Sequence, residues 1–170
     1  MGERNIEVDE NDHVMGIRPR EDFYTGKYIH RGSHLILFNS KNEILIQNRA
    51  PSKFWYPNLY TYSVAGTVSE NESYEDTIKK EMQEEIGILI PVKYLFKYPF
   101  YDKFDKAFHA VFAGKSDNEI KFQKEEITHI KWIPAMELKK DAEKHPEKYT
   151  PPFLEGLRIF FNEYYSDLKL

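Results

Sequence analysis

The segment Gly66–Ile88, GTVSENESYEDTIKKEMQEEIGI, constrains this chain more than any other stretch. Ser73 has the chemistry of a helix N-cap, with Asp76 three residues on as a short form of the capping-box acid. Gly87 is the residue type that ends helices in a left-handed conformation. The helix so bounded runs from Tyr74 to Ile86, and Tyr74, Ile78 and Met82 recur every four residues along it as an apolar stripe. Glu81, Glu84 and Glu85 fall at i, i+3 and i+4, so three carboxylates share a neighbouring face. Like charges at that spacing destabilise a helix by roughly 0.2–0.5 kcal/mol per pair, a cost unless something positive sits among them. A solvated face paired with Lys79 and Lys80 is the plain reading of such a run. A bound cation is the functional one.

The rest of the chain limits what that cation can be. There is no cysteine, which excludes disulfides, thiolate nucleophiles, zinc–thiolate sites and iron–sulfur clusters and leaves oxygen or imidazole ligands for any metal. Clustered carboxylates suit Mg²⁺ or Mn²⁺, hard cations that normally share their shell with substrate phosphates. Such an ion polarises phosphoryl oxygens and orients an attacking water while a spare carboxylate takes the proton. Gly66 lets the backbone come close, and the carbonyl of Ala65 or Gly66 can add an oxygen ligand. The 24 basic and 28 acidic residues leave a net charge of −4, which argues against a nucleic-acid or membrane-surface binder. The polar, acidic N-terminus and the lack of any apolar run near ~20 residues point by default to a cytoplasmic protein.

Along the chain, composition shows no break and no repeat, so a single domain over residues 1–170 is expected, with residues 1–28 as an arm carrying one short strand. His34–Phe38 and Glu43–Gln47, joined by Asn39–Asn42, read as a hairpin, and Tyr60–Val64 as a short strand after a loop with two prolines. Val92–Phe96, Ala107–Ala113 and Ile127–Ile133 read as further strands. Pro134 starts a short helix to Ala142, and Leu154, Leu157, Phe160, Phe161, Tyr164 and Leu168 form the stripe of a C-terminal amphipathic helix. The class is α+β.

The spacing now carries a resemblance. Gly66, five residues, Glu72, seven residues, and then KEMQEEIGI from Lys80 to Ile88 is similar to the Nudix box, with lysine at position 80 where the family has arginine. The family hydrolyses a nucleoside diphosphate linked to another group. The resemblance implies a Nudix-type α/β/α sandwich with a mixed β-sheet. It implies Mg²⁺ or Mn²⁺ held by Glu81, Glu84 and Glu85 with a carbonyl of Ala65 or Gly66, Glu81 and Glu84 taking part in catalysis. Glu72 is then structural and faces Lys80, as is Gly87. Lysine keeps the charge of the family's arginine but not its planar fork, so it holds Glu81 less firmly. The family's general base is often a glutamate in a variable loop outside the box. Glu125 and Glu126 are the candidates here, with Glu119 behind them, and each also reads as part of a polar turn before a strand.

YIHRGSHLILFNSKNEILIQNRAPSKFWYPNLYTYSVAGT, upstream of the box, resembles isopentenyl diphosphate isomerases and the Nudix hydrolases close to them, and VDENDHVMGIRPRED resembles the arm of those hydrolases. Isomerisation lacks its machinery: Ala65 stands at the cysteine position and Phe23 and Thr67 at two metal-binding histidine positions, leaving His30 as the single match. The expectation is a metal-dependent pyrophosphohydrolase of a nucleoside diphosphate-X or nucleoside triphosphate, with isomerase activity or a non-catalytic nucleotide-binding module as alternatives. Arg31, Arg49 and Lys53 are candidates for phosphate contacts, each also readable as a surface cation. Among Phe54, Trp55, Tyr56, Tyr60 and Tyr62, some pack inward and others, Trp55 and Tyr60 foremost, are candidates to stack on a flat group. His30 and His34 share a strand face, with phosphate or metal binding open beside a structural role, while His13, His109, His129 and His145 are unassigned. A homodimer using the arm is compatible with the resemblance.

Overall fold

The computed structural model describes residues 2–170. In chain order its elements are β1 (Arg4–Val8), β2 (Val14–Pro19), α1 (Arg20–Phe23), β3 (His30–Phe38), β4 (Glu43–Arg49), β5 (Tyr60–Thr61), β6 (Val64–Thr67), α2 (Tyr74–Ile86), β7 (Lys93–Tyr101), β8 (Lys106–Lys115), β9 (Ile127–Pro134), α3 (Ala135–Lys144) and α4 (Pro151–Ile159). The apolar run of β3 is buried on both faces, as a central strand requires. Leu35 and Leu37 pack with Ile78, Met82 and Ile86 of α2. Ile36 and Phe38, on the other face, pack with Leu138 of α3 and Phe153 and Leu157 of α4. Helices therefore cover both sides of one mixed seven-stranded sheet, an α/β/α sandwich.

The position of the cleft follows from how β3 finds its partners. It pairs in parallel with β8 from His30↔Ala107 to Phe38↔Lys115, and β8 pairs antiparallel with β7. On its other edge it meets β6, from Gly32↔Thr67 to Leu35↔Val64. The hairpin expected between β3 and β4 is correct at its turn but does not continue, because only Phe38↔Ile44 pairs before the strands part. Ser63 fills the fork: its hydroxyl accepts the Leu37 N–H at 2.8 Å and donates to the Leu45 carbonyl at 2.6 Å. The expected Tyr60–Val64 strand is accordingly split around Ser63 into β5 and β6.

Helix α2 has the sequence-derived bounds, and the reason is local. Ser73 Oγ accepts the Asp76 N–H at 3.1 Å and Asp76 accepts the Ser73 N–H at 3.0 Å, while Gly87 takes φ 69°. The arm differs from expectation. It forms a two-stranded ribbon, β1 with β2, followed by the short helix α1, and it is pinned through buried Asp12. Asp12 accepts from Arg31 Nε at 2.7 Å and from the Tyr74 hydroxyl at 3.1 Å, and pairs with Lys97. The C-terminal stripe packs as expected, but α4 passes through a π-helical turn at Phe160–Tyr164 before a final 3₁₀ turn. Among the described residues no helix is long and apolar enough to cross a membrane.

Candidate active site

Where the sheet forks, a cavity of about 360 Å³ opens between the acidic face of α2 and the end of β4. Glu81, Glu84 and Glu85 line one wall; Arg49 and Lys53 line the other. The acids are there because the apolar stripe of α2 is spent on the core, which turns the adjacent face to the fork. Glu81 lies over Gly66 of β6, where a Cβ would stand 2.3 Å from its Cγ, so any side chain there would displace the Glu81 carboxylate. Burial, and then the charge of Glu85, push the Glu81 carboxyl up to about 8 against the opposing pull of Lys80. Burial likewise raises Glu85, whose Oε2 accepts from Gln47 Nε2 at 2.9 Å and from the Ala65 N–H at 3.1 Å. Lys80 Nζ donates to Glu72 Oε1 at 2.7 Å and stands 3.8 Å from Glu81 Oε1.

The donor set fits a hard dication. Three carboxylates line one wall, and both hydrogen bonds to Glu85 fall on a single oxygen. Glu81 is held at raised pKa by burial and the charge of Glu85, and Glu85 by burial, which a cation would offset. Among the described residues no three histidine or acidic side chains converge at ligating distance as they stand. Glu84 is exposed on the cavity wall.

On the opposite wall Arg49 donates Nε to the Trp55 carbonyl at 2.8 Å, and burial lowers its pKa against the charges of Glu85 and Asp105. Lys53 is pushed down to about 8 by burial and then by Arg49, and its ammonium pairs with Glu126. The other named residues sort clearly. Glu126 lines the cavity, whereas Glu125 and Glu119 are exposed outside it. Arg31 points away from the cleft to Asp12, because successive strand residues face opposite sides and His30 and Gly32 take the cleft side. Tyr60 also stands outside the cleft, its hydroxyl 2.8 Å from His129 Nε2. Trp55 lines the cleft but is only 8% exposed: His30 stacks on it at 5.0 Å and Tyr24 meets it edge-on at 4.9 Å.

Several lining residues had no signal in the sequence. Glu3 and Arg20 reach the rim from the arm, paired with each other, and Arg20 Nε is buried without a partner. Their segment is aperiodic, so only the folded ribbon brings them to the site. At the floor, His30 Nε2 meets Asp105 Oδ1 at 2.7 Å and His34 Nε2 meets His109 Nδ1 at 2.7 Å. Burial, and then the neighbouring histidine charges, lower His34 to about 3 and His109 well below its usual range, so this pair is neutral and attracts no phosphate. Gly32 was the available clue, as a glycine inside a strand marks a close approach: a Cβ there would sit 2.8 Å from His34 Nε2.

A sandwich whose forked sheet sets carboxylates against cations is the architecture of an enzyme acting on a phosphorylated small molecule. The chain matches the NUDIX domain over residues 28–153, and it belongs to that family. It is 47% identical over 161 residues to the prenyl-diphosphate phosphatase of Methanosarcina mazei, covering 92% of this chain and 94% of that one. It is 26% identical over 155 residues to isopentenyl-diphosphate Delta-isomerase 2 of Aromatoleum aromaticum, covering 88% and 82%. A crystal structure from Deinococcus radiodurans shares the fold with a TM-score of 0.78 at 26% identity, over 92% of this chain and 98% of that one. The protein is a hydrolase acting on diphosphate bonds. Against isomerase chemistry, Phe23 is buried against His30 at 5.5 Å, and Ala65 offers only its backbone to Glu85.

Proposed function

We propose that the protein is a Mg²⁺- or Mn²⁺-dependent hydrolase of a diphosphate whose organic group is apolar, of the prenyl kind. The observation that carries the chemistry is the apposition of Glu81, Glu84 and Glu85 with Arg49 and Lys53 across one cleft. The apolar group is supported by the relative at 47% identity, named a prenyl-diphosphate phosphatase. The aromatic surroundings agree: Trp55, covered by His30 and Tyr24, offers an edge and not a free face, so a nucleoside base has no platform on it.

In this reading Arg49 and Lys53 hold phosphate oxygens, the guanidinium oriented by the Trp55 carbonyl. Glu81, Glu84 and Glu85, with the carbonyl of Ala65 or Gly66, would hold the dication. When bound, the ion polarises the phosphoryl group and lowers the pKa of water beside it. Gln47 and the Ala65 N–H fix Glu85, Lys80 braces Glu72 beside Glu81, and Glu126 takes the proton of the attacking water.

The test is hydrolysis of prenyl diphosphates of increasing length, nucleoside triphosphates and nucleotide sugars, with and without Mg²⁺ or Mn²⁺, read by chromatography of the products. Metal-dependent turnover with kcat/KM at least ~tenfold higher for the prenyl compounds is expected. Equal or better turnover of nucleotides returns the substrate to the nucleoside diphosphate class. Glu85→Gln is expected to abolish metal-dependent turnover while the thermal melt stays near that of the parent, since the amide oxygen still accepts from Gln47. Full activity in that variant overturns the metal assignment.

A further inference from the structure

Lys53 and Glu126 form an ion pair at the cleft, and both side chains line it. The loops that carry them are fixed by backbone bonds. Ala50 N–H donates to the Glu126 carbonyl at 3.0 Å, and Lys53 N–H closes a turn on the Ala50 carbonyl at 3.1 Å. The Glu126 turn is anchored to the acidic helix, because Gln123 N–H donates to the Glu85 carbonyl at 2.9 Å. With both backbones held, the side chains are the parts able to change partners, and they keep 21% and 36% of their surface exposed. Lys53 faces Arg49 and Arg20 as like charges and Glu81 and Glu85 as opposite ones, so it sits where an arriving diphosphate meets the cationic wall.

We infer that Lys53 is a latch on Glu126 that substrate opens: the ammonium holds the carboxylate in the free protein, and a bound diphosphate takes the ammonium and releases Glu126 to the attacking water. The inference rests on the reading of Glu126 as general base. A carboxylate tied to an ammonium is a weaker base than a free one, and a diphosphate carries more negative charge than the carboxylate it displaces. In the step that follows, Glu126 accepts one proton from water, the water oxygen bonds to phosphorus, and the bridging P–O bond breaks with its electron pair leaving on the departing oxygen. Proton acceptance is thereby coupled to occupancy, and Lys53 is a positioning residue as well as a phosphate contact.

The experiment compares the parent protein with Lys53→Met, Lys53→Arg and Glu126→Gln on one diphosphate with Mg²⁺, measuring kcat and KM from acid to neutral pH. The kcat/KM profile reports the free enzyme and the kcat profile the complex. Lys53→Met is expected to raise KM roughly tenfold and to move the acid limb of kcat/KM up by about one pH unit, with the acid limb of kcat where the parent has it. Lys53→Arg, which keeps the charge, is expected to restore the parent's kcat/KM limb. A raised KM with both acid limbs unmoved means that Lys53 only binds phosphate, and overturns the latch while leaving Glu126 as base. Parent-like kcat in Glu126→Gln removes the base, and the latch with it.

Discussion

At the residue scale, the departure most open to test is Lys80. Its ammonium makes one close contact, to Glu72 at 2.7 Å, and reaches Glu81 only at 3.8 Å. In this geometry the ammonium spends its close contact on Glu72, whereas a planar guanidinium, with five donors in a fixed fork, can bond to both carboxylates. Lys80→Arg is therefore expected to raise kcat by about two- to tenfold with little change in KM; a slower enzyme would show that the packing around Glu81 has been rebuilt for lysine. How legible such residues are depends on where their partners lie in the chain. The Lys80–Glu72 pair lies within one sequence motif and was readable. Arg31 and Arg49 looked equivalent as cations, yet the strand pleat sends Arg31 to the face away from His30 and toward Asp12, a partner from the arm that no periodicity announces. Arg20 is the converse, a cleft residue from a segment with no pattern.

At the element scale, α2 was fixed by contacts within its own sequence: a capping box at Ser73 and Asp76, a left-handed Gly87 and a four-residue apolar repeat. The β3–β4 fork was not legible, since it is set by Ser63 bonding to two strands across 26 and 18 residues of sequence. The ribbon of β1 and β2 was missed for the same reason, as its anchor is a side-chain cluster and not a repeat. Asp12 supplies the only anion named in that cluster, facing Arg31 and Lys97. Its removal leaves two half-covered cations unneutralised, and breaking such a pair costs about 3–5 kcal/mol when fully buried. Asp12→Ala is expected to lower stability by about 2 kcal/mol or more, the lower bound reflecting the partial exposure of both cations, and to speed amide exchange across Arg4–Pro19. Unchanged exchange there would mean that backbone contacts such as Ile6 N–H to the Val68 carbonyl at 3.3 Å suffice to hold the ribbon.

At the scale of the whole molecule, the cleft floor is also part of the core, and this ties folding stability to acid. His34 and His109 are buried against Tyr62 and Tyr98 and hydrogen-bond only to each other, with His34 Nδ1 and His109 Nε2 unpartnered. Neither hydrogen-bonds to a carboxylate, and burial, followed by neighbouring histidine charge, outweighs the pull of Asp105 on His109, so both are depressed, His34 to about 3 and His109 well below its ordinary value. In the unfolded chain both titrate near ~6.5. Below that pH the unfolded state binds protons that the folded state refuses, so the stability present above ~6.5 falls as pH falls, and the loss continues for His34 down to about 3. Each group then contributes a slope that rises from half of about 1.4 kcal/mol per pH unit at pH ~6.5 towards the full value, so the pair is worth about 3 kcal/mol between pH ~6.5 and ~5, a large share of the ~5–15 kcal/mol that holds a domain together. Urea unfolding of the parent at pH 7, 6 and 5 is expected to show this decline, and His109→Gln to show about half the slope, whatever its stability at pH 7. Because other groups titrate in both proteins, the difference in slope isolates the histidine. Parallel slopes would mean that the floor relaxes and admits a proton without unfolding, and that the neutral pair is not a fixed part of the fold.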